Sequence, residues 1–394
     1  MISNCYDVSV NKMELLQIVL IPLVLGGCIY TLFSIFCVSE FFGPKQRDTA
    51  EMAPLPVSIL KPLKGKDPEL KENILSFCTQ DYPEYEVLLG FTDPEDEAIT
   101  EAEEIASSRK NRNVRIVISQ NRPGVNQKVS NMQGLVEAAR YPLVALSDSD
   151  MRVDKYYLAK IVEEFLSHEN IGLVTSLYKI SSPRSLGAAL ESLSLALDFI
   201  PSVLVARRLE GVTFGLGASM LVSKEALDEM GGFPVISDYL ADDYQIGYRI
   251  WEKGYKIILS RYVLEDVVGN MTMTGLLVHQ LRWARTYRAS RPKGYLGYGI
   301  THVLPLSLIF LFFHGPTVSS LSLVGSVLAL RMLLAFIIYK KVIGRRKWLR
   351  WLVLLPIKDF LSFLIWCWSF LGRKVYWRGK YYRILKGGKI VPDG

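Results

Sequence analysis

The sequence predicts an α/β domain on a mainly parallel sheet, held to a membrane by an apolar helix before it and by further apolar helices after it. Three observations carry this. Short β-branched runs alternate with helical segments between residues 57 and 147. The 394-residue chain is 50% hydrophobic, with a mean hydropathy of +0.21, and its apolar residues crowd the two ends. The stretch between them, residues 41–299, has the composition of an ordinary globular domain.

At the N-terminal end, residues 15–38 run for 24 positions without a charge, enough to span a bilayer with some tilt. A cleaved signal peptide is the competing reading, and Leu25-Gly26-Gly27-Cys28 has the look of a lipoprotein processing site. The apolar run continues for ten residues past Cys28, which favours an uncleaved anchor.

A Pro-rich linker leads into a strand at 57–60, a helix at 68–79, a strand at 86–92 and an acidic helix at 95–109. A strand at 114–119, a helix at 127–140 and a strand at 143–147 follow. Such alternation builds a parallel sheet with helices on both faces, and open sheets of this kind bind ligands at the carboxyl ends of their strands. Two strands end in aspartate, at Asp93 and Asp148. After Asp150 the chain changes character. Small residues cluster from Gly211 to Ser219, Gly231-Gly232-Phe233 closes a short helix, and Ala241-Asp242-Asp243-Tyr244 opens another.

The C-terminal apolar segments are less regular. Residues 302–313 are apolar but short, and 321–339 are long enough to cross, with Arg331 inside. Together they form a hairpin returning to the basic loop 340–350. Residues 351–371 are interrupted by Pro356, Lys358 and Asp359 and flanked by basic segments on both sides. A simple crossing would put one basic flank outside, against the charge rule, so a re-entrant or interfacial element is expected, with Lys358 and Asp359 in water or a protein-lined cavity.

The net charge is +7, with much of the excess in Lys340-Lys341 and Arg345-Arg346-Lys347 beside these spans, as the positive-inside bias requires. No nucleic-acid recognition motif accompanies it, so nucleic acid is not an expected partner. The five cysteines make no CxxC or His-paired spacing, which argues against a zinc site or disulfide framework.

Asp148-Ser149-Asp150 follows an apolar strand, and a D-x-D there can hold Mg²⁺ or Mn²⁺ through oxygen ligands, with water and substrate phosphates completing the shell. Such an ion offsets the charge of a diphosphate leaving group. A solvated turn is the bland alternative. Asp93 suits a base or ribose contact, or simple solvation in its acidic loop; Lys128 and Asn131 suit a phosphate contact or the holding of the sheet edge. In Asp242-Asp243 each carboxylate disfavours ionisation of the other, which suits one of them for general-base work. A helix N-terminus would favour acidic residues there equally well. His279-Gln280-Leu281-Arg282-Trp283 lies on a helix on which Arg282, Arg285 and Arg288 recur as a cationic stripe, suited to a diphosphate or to lipid headgroups. Trp283 is a packing or interface residue by default.

The order and spacing of D, D-x-D, D-D and x-x-R-W are similar to those of inverting glycosyltransferases with a GT-A fold, a Rossmann-like mixed, mainly parallel sheet. The chain resembles the ceramide glucosyltransferase family from about residue 54 to residue 383. The resemblance lies in the runs from Val57 to Gly65, Gln80 to Val87 and Leu240 to Tyr244, and in Tyr376-Trp377-Arg378-Gly379. The bacterial glycosyltransferases of hopanoid biosynthesis look closer still, through Lys128-Val129-Ser130-Asn131, Pro201-Ser202-Val203-Leu204-Val205 and the run from His279 to Thr286. The resemblance implies nucleotide contact by Asp93, metal binding by Asp148 and Asp150, and Asp243 as base, with Arg282 and Trp283 in the family's R-W element. His279 stands where Gln or Arg is usual, and would hydrogen-bond the diphosphate. Also implied are a UDP-sugar donor, a ceramide-like or hopanoid acceptor in the bilayer, and a β-linked glycolipid product. The expected organisation is a membrane anchor over residues 1–40, a cytoplasmic GT-A domain over 54–299, transmembrane or re-entrant helices over 300–372 and a basic tail over 373–394. The rivals are a processive polysaccharide synthase, which needs a channel of several clean spans, and a non-catalytic binding protein on a degenerate transferase fold.

Overall fold

The computed structural model describes residues 2–44, 53–108 and 113–393. The end of the helix expected at 95–109 lies outside these residues, as do the first and last residues of the chain.

Eight strands form one sheet: β1 (Val57–Pro62), β2 (Tyr85–Phe91), β3 (Val114–Ile118), β4 (Leu143–Leu146), β5 (Met151–Arg152), β6 (Ile171–Lys179), β7 (Met220–Ser223) and β8 (Lys256–Asp266). Their order is β3-β2-β1-β4-β7-β6-β8-β5. β1 pairs in parallel with β2 and β4, and β2 with β3. β7 enters antiparallel between β4 and β6, β6 runs parallel to β8, and β5 closes the edge antiparallel to β8. The parallel strands are buried on both faces, which is why they read as continuous apolar runs rather than as alternation. Two cores flank the sheet, one around Ile59, Phe77, Phe91 and Tyr157, the other around Leu60, Leu88, Val129 and Ile246.

Among the described residues four helices are long and apolar enough to cross a membrane: Gln17–Phe41, Leu186–Glu210, Val318–Ile343 and Arg346–Ser369. A further pair, Pro292–Thr301 and Val303–His314, is bent by 59°. Leu186–Glu210 is an element that the sequence reading did not single out, and Glu191, Asp198, Arg207 and Arg208 punctuate it. Its apolar window is 78% buried inside the protein, against 28% for each of the other three. Residues 374–392, a basic tail by composition, carry three antiparallel strands, β9 (Lys374–Trp377), β10 (Lys380–Ile384) and β11 (Ile390–Pro392).

Of the two surroundings expected for Lys358 and Asp359, water or protein, the structure has protein: both are buried. Arg331 makes a two-pronged contact with Asp359, at 2.9 and 2.6 Å, and reaches Asp198 at 3.2 Å. Lys358 lies 2.6 Å from Asp198 and 2.9 Å from Asp359. The set holds two cations and two carboxylates and is balanced, which is the condition for keeping charge among apolar helices. It ties Val318–Ile338 and Leu355–Ser369 to the Leu195–Phe199 turn of the buried helix. Nearby, fully buried Trp348 donates to Ser192 at 2.8 Å.

Arg331→Leu leaves Asp359 short of its partner and is expected to cost about 3–5 kcal/mol. The double variant Arg331→Leu/Asp359→Leu keeps the Lys358–Asp198 pair and should recover most of that loss. Thermal unfolding of the detergent-solubilised protein measures both.

Candidate active site

β1, β2 and β4 are adjacent and parallel, so their carboxyl ends lie side by side on one edge, bringing Lys61, Asp93 and Asp148 there. β7 runs the other way and starts at this edge: Met220 pairs with Leu146, so the small-residue segment before it lies beside Asp148. Pairing of Met151 with Asp266 brings Asp266 next to Asp150, whose carbonyl accepts from Val267 N at 2.9 Å.

Lys128 opens the helix Gln127–Ala138, whose N-cap Asn126 accepts from Lys128 N and Val129 N. The Lys128 ammonium lies 2.6 Å from Asp148 and 3.3 Å from Asp242. Burial disfavours its charge, but Asp148, Asp242 and Asp243 outweigh burial and hold it above the ordinary lysine value. One turn on, Asn131 donates to Gly90 O at 2.8 Å and to Leu63 O at 3.3 Å, so it clamps the ends of β1 and β2. Lys61, within β1, is wholly buried. Its ammonium bonds the Asp148 carbonyl and lies 4.0 Å over the Phe77 ring, and burial pulls its pKa down to about 7.

Asp242 and Asp243 occupy the first turn of the helix Asp242–Glu252. Asp243 accepts from Gly217 N and from Tyr244 N, each at 2.8 Å. Burial and then the charge of Asp242 push its carboxyl up to about 6, against those two donors. Two glycines make the convergence possible. A Cβ on Gly217 would sit 3.2 Å from Asp148 Oδ2, 3.3 Å from Asp243 Oδ2 and 3.4 Å from Lys128 Nζ. A Cβ on Gly247 would sit 2.1 Å from Gly215 N, so only glycine lets this helix press its acidic end against the loop.

Negative charge is in excess here. Burial, then Asp148 and Asp67, push Asp150 up to about 6, and burial, then Asp150, raise Asp266 as well. One buried oxygen of each, Oδ1, has no hydrogen-bond partner among the described residues. Among the described residues no three His, Cys, Asp or Glu side chains are arranged as a ready metal cage. The donor set fits a hard divalent ion in the other way: two carboxylates, Asp148 and Asp150, leave positions for water and substrate phosphates.

The remaining candidates divide. Asp93 is exposed on the rim, with a carboxylate oxygen accepting from Glu95 N at 3.0 Å. His279 is tied through Nδ1 to Glu191 at 2.9 Å, and its ring centroid lies 4.6 Å from that of Trp283. Trp283 packs among Tyr178, Phe199 and Tyr287. The cationic stripe is split. Arg285 and Arg288 bond the carbonyls of Leu371, Gly372 and Lys374 and fasten the chain leading into β9. Arg282 makes no ion pair with a described residue and feels the charges of Asp148 and Arg378.

Sequence reading missed Lys61, Asp67, Gly217, Asp266 and Arg378. Lys61 had a signal, a lone lysine within the apolar strand Val57-Ser58-Ile59-Leu60 and before Pro62. Asp266 had none, since only the β5–β8 pairing brings it in. Asp67 accepts from Ser149, between the two aspartates of the D-x-D.

The chain matches the profile of glycosyl transferase family 21 over residues 19–390. It is 30% identical over 275 residues to ceramide glucosyltransferase 1 of Caenorhabditis elegans, a match taking in 68% of this chain but only 59% of the relative's length. Against ceramide glucosyltransferase 3 of the same organism it is 26% identical over 387 residues, 95% of this chain and 83% of the relative. Among solved structures, the mannosyltransferase PcManGT of Pyrobaculum calidifontis, determined with GDP-Man and Mn²⁺, superposes with a TM-score of 0.54 at 17% identity. That superposition covers 90% of this chain and 99% of the other, a likeness of fold, which is GT-A.

The carboxylate cluster has a measurable signature. Asp150 is ordinarily ionised above about 4, but the fold favours its neutral form up to about 6, so its contribution to stability is full at low pH and is lost as pH rises through 6. Asp150→Asn should therefore raise the Tm of the ligand-free protein at pH 7.5, by about a few degrees, and the gain should fade as pH falls towards 4.

Proposed function

The chain belongs to glycosyl transferase family 21, and from that premise we propose that it transfers a hexose, glucose or N-acetylglucosamine, from a UDP-sugar to the hydroxyl of a membrane lipid, ceramide-like or hopanoid, with inversion. The observation that carries this is the meeting of Asp148, Lys128 and Asp243 around Gly217, on a sheet edge joined by Leu186–Glu210 to the apolar helices. The catalytic domain lies on the cytoplasmic side, the side on which the basic loop after Val318–Ile338 belongs.

In this reading Asp148 and Asp150 hold Mg²⁺ or Mn²⁺, which when bound offsets the charge of the departing UDP. Asp93 contacts the nucleotide at the rim. Lys128 keeps Asp148 and Asp242 in register and counters their charge. Asp243, aimed by two backbone donors, accepts the proton of the lipid hydroxyl as its oxygen attacks the anomeric carbon from the face opposite UDP. The carbon passes through an oxocarbenium-like state of the kind glycosidases also use. Arg282 supplies positive charge to the diphosphate, with His279 at the first position of the same motif, and Trp283 anchors that helix against Tyr178 and Phe199.

Asp243→Asn should lower turnover by about a hundredfold or more with the fold intact. A base must be unprotonated to work, so the wild-type rate should fall as pH drops through about 6, and that limb should vanish from any residual activity of the variant. Near-normal turnover by Asp243→Asn would reject it as the base.

Mass spectrometry of products resolves the finer assignment. Inside-out membrane vesicles given UDP-glucose or UDP-N-acetylglucosamine with ceramide or a hydroxylated hopanoid should yield a mono-glycosylated lipid, and EDTA should abolish it. A polymeric product would favour the processive synthase, and transfer only in right-side-out vesicles would refute the cytoplasmic placement.

A further inference from the structure

We propose that Arg378, at the tip of the C-terminal hairpin, is a ligand of the donor's diphosphate, so that the small three-stranded sheet forms one wall of the donor pocket. The inference rests on the reading of the cleft as a nucleotide-sugar site.

The sheet is docked where it can serve that purpose. Val375, Tyr382, Ile384 and Ile390 enclose a small core with Leu240, two residues before Asp242. Leu240 N donates to Gly388 O at 3.3 Å, Ile390 N to Asp238 O at 2.7 Å, and Tyr239 bridges Lys389. From this anchorage beside the acceptor half of the cleft, the β9–β10 hairpin reaches to the donor half. Arg378 Nη1 lies 3.2 Å from Lys64 O and 3.4 Å from Asp67 Oδ1, just beyond the end of β1.

The backbone of the tip is informative. Arg378 has φ 47° and Gly379 φ 84°, so the two-residue loop has both φ values positive, as a type I′ turn requires. Asn, Asp and Gly suit the first of these positions and arginine does not. The turn gains nothing from Arg378, so the reason for an arginine lies in what its side chain reaches. Of its five N–H donors, those on Nη1 meet described residues, and those on Nε and Nη2 meet none.

Other cations gather at the same place, beside Asp67, which Arg378 meets through Nη1. The Lys64 ammonium bonds the Gln127 amide at 2.5 Å, and Arg282 has no ion pair among the described residues. Lys64 is held below the ordinary lysine value by burial and then by Lys380 and Arg378, and Arg282 is lowered by burial, with Arg378 among its like-charged neighbours. Cations gathered beside the D-x-D, one of them with guanidinium donors that meet no described residue, form a seat for a phosphate group, and the planar guanidinium suits two phosphate oxygens at once.

The test compares UDP with uridine on the full-length protein in detergent with Mn²⁺, following UDP by calorimetry and uridine by ligand-observed NMR. Arg378→Asn suits the turn at least as well as arginine, so the hairpin stays folded, which the Tm checks. It should weaken UDP binding about tenfold or more while leaving uridine binding unchanged, and Arg378→Lys should restore part of the loss. Unchanged UDP affinity in Arg378→Asn overturns the proposal. So does an equal loss for UDP and uridine, which would make Arg378 a clasp for the pocket rather than a ligand. Failure of the wild-type protein to bind UDP would instead overturn the nucleotide-sugar reading itself.

Discussion

Carboxylates forced together at the buried edge of a sheet are the constraint around which this protein is arranged. Asp148, Asp150, Asp242, Asp243 and Asp266 occupy a largely enclosed region where water screens them poorly, with Lys128 and Lys61 as counter-charges. Such a nest is costly, because each ionised carboxylate opposes the next and low polarity enlarges the penalty. The surroundings read as the means of holding it. Gly217 clears the space between two of the acids, and Gly247 lets their helix close in. Asn131 ties two strand ends together, and Asn126 fixes the helix that delivers Lys128.

A second group of charges, far from the first in chemistry, is solved differently. Arg331, Lys358, Asp198 and Asp359 cancel one another and leave nothing over for a ligand. Glu191 and Asp198 belong to the same buried helical stretch, Leu186–Glu210, the first reaching His279 and Gln280 and the second the apolar helices. One stretch of helix is thus shared between the unbalanced cluster and the balanced one.

Much of the catalytic half was legible because its signals are local. The parallel strands announce themselves as short apolar runs, and Asp93, Asp148 and Asp243 sit at strand or helix ends that the pattern marks. The structure brings Lys128, Asp148 and Asp243 together as expected for one site, and leaves Asp93 on its rim. What escaped was non-local. Asp266 joins through strand pairing, and Arg378 through a hairpin about three hundred positions from its partners. The helix Leu186–Glu210 escaped for another reason: charges punctuate its apolar run, and Glu191, Asp198 and Arg207 are tolerated there because distant segments supply their partners. Arg285 and Arg288 show the converse, since regular spacing suggested a shared target and tertiary contacts gave them carbonyls instead.

The placing of Leu186–Glu210 bears on how the molecule is assembled. β6 precedes it and β8 follows it, yet these two strands are neighbours with an extended parallel register. The sheet therefore closes over a segment that also packs among the apolar helices. Loop closure of that kind pays its entropy before the contacts return it. The catalytic half and the bilayer half then become a single cooperative unit: trimming both ends to obtain a water-soluble fragment would strip the cover from the middle of the chain, and what remained would seek a detergent micelle, or another copy of itself, to replace it.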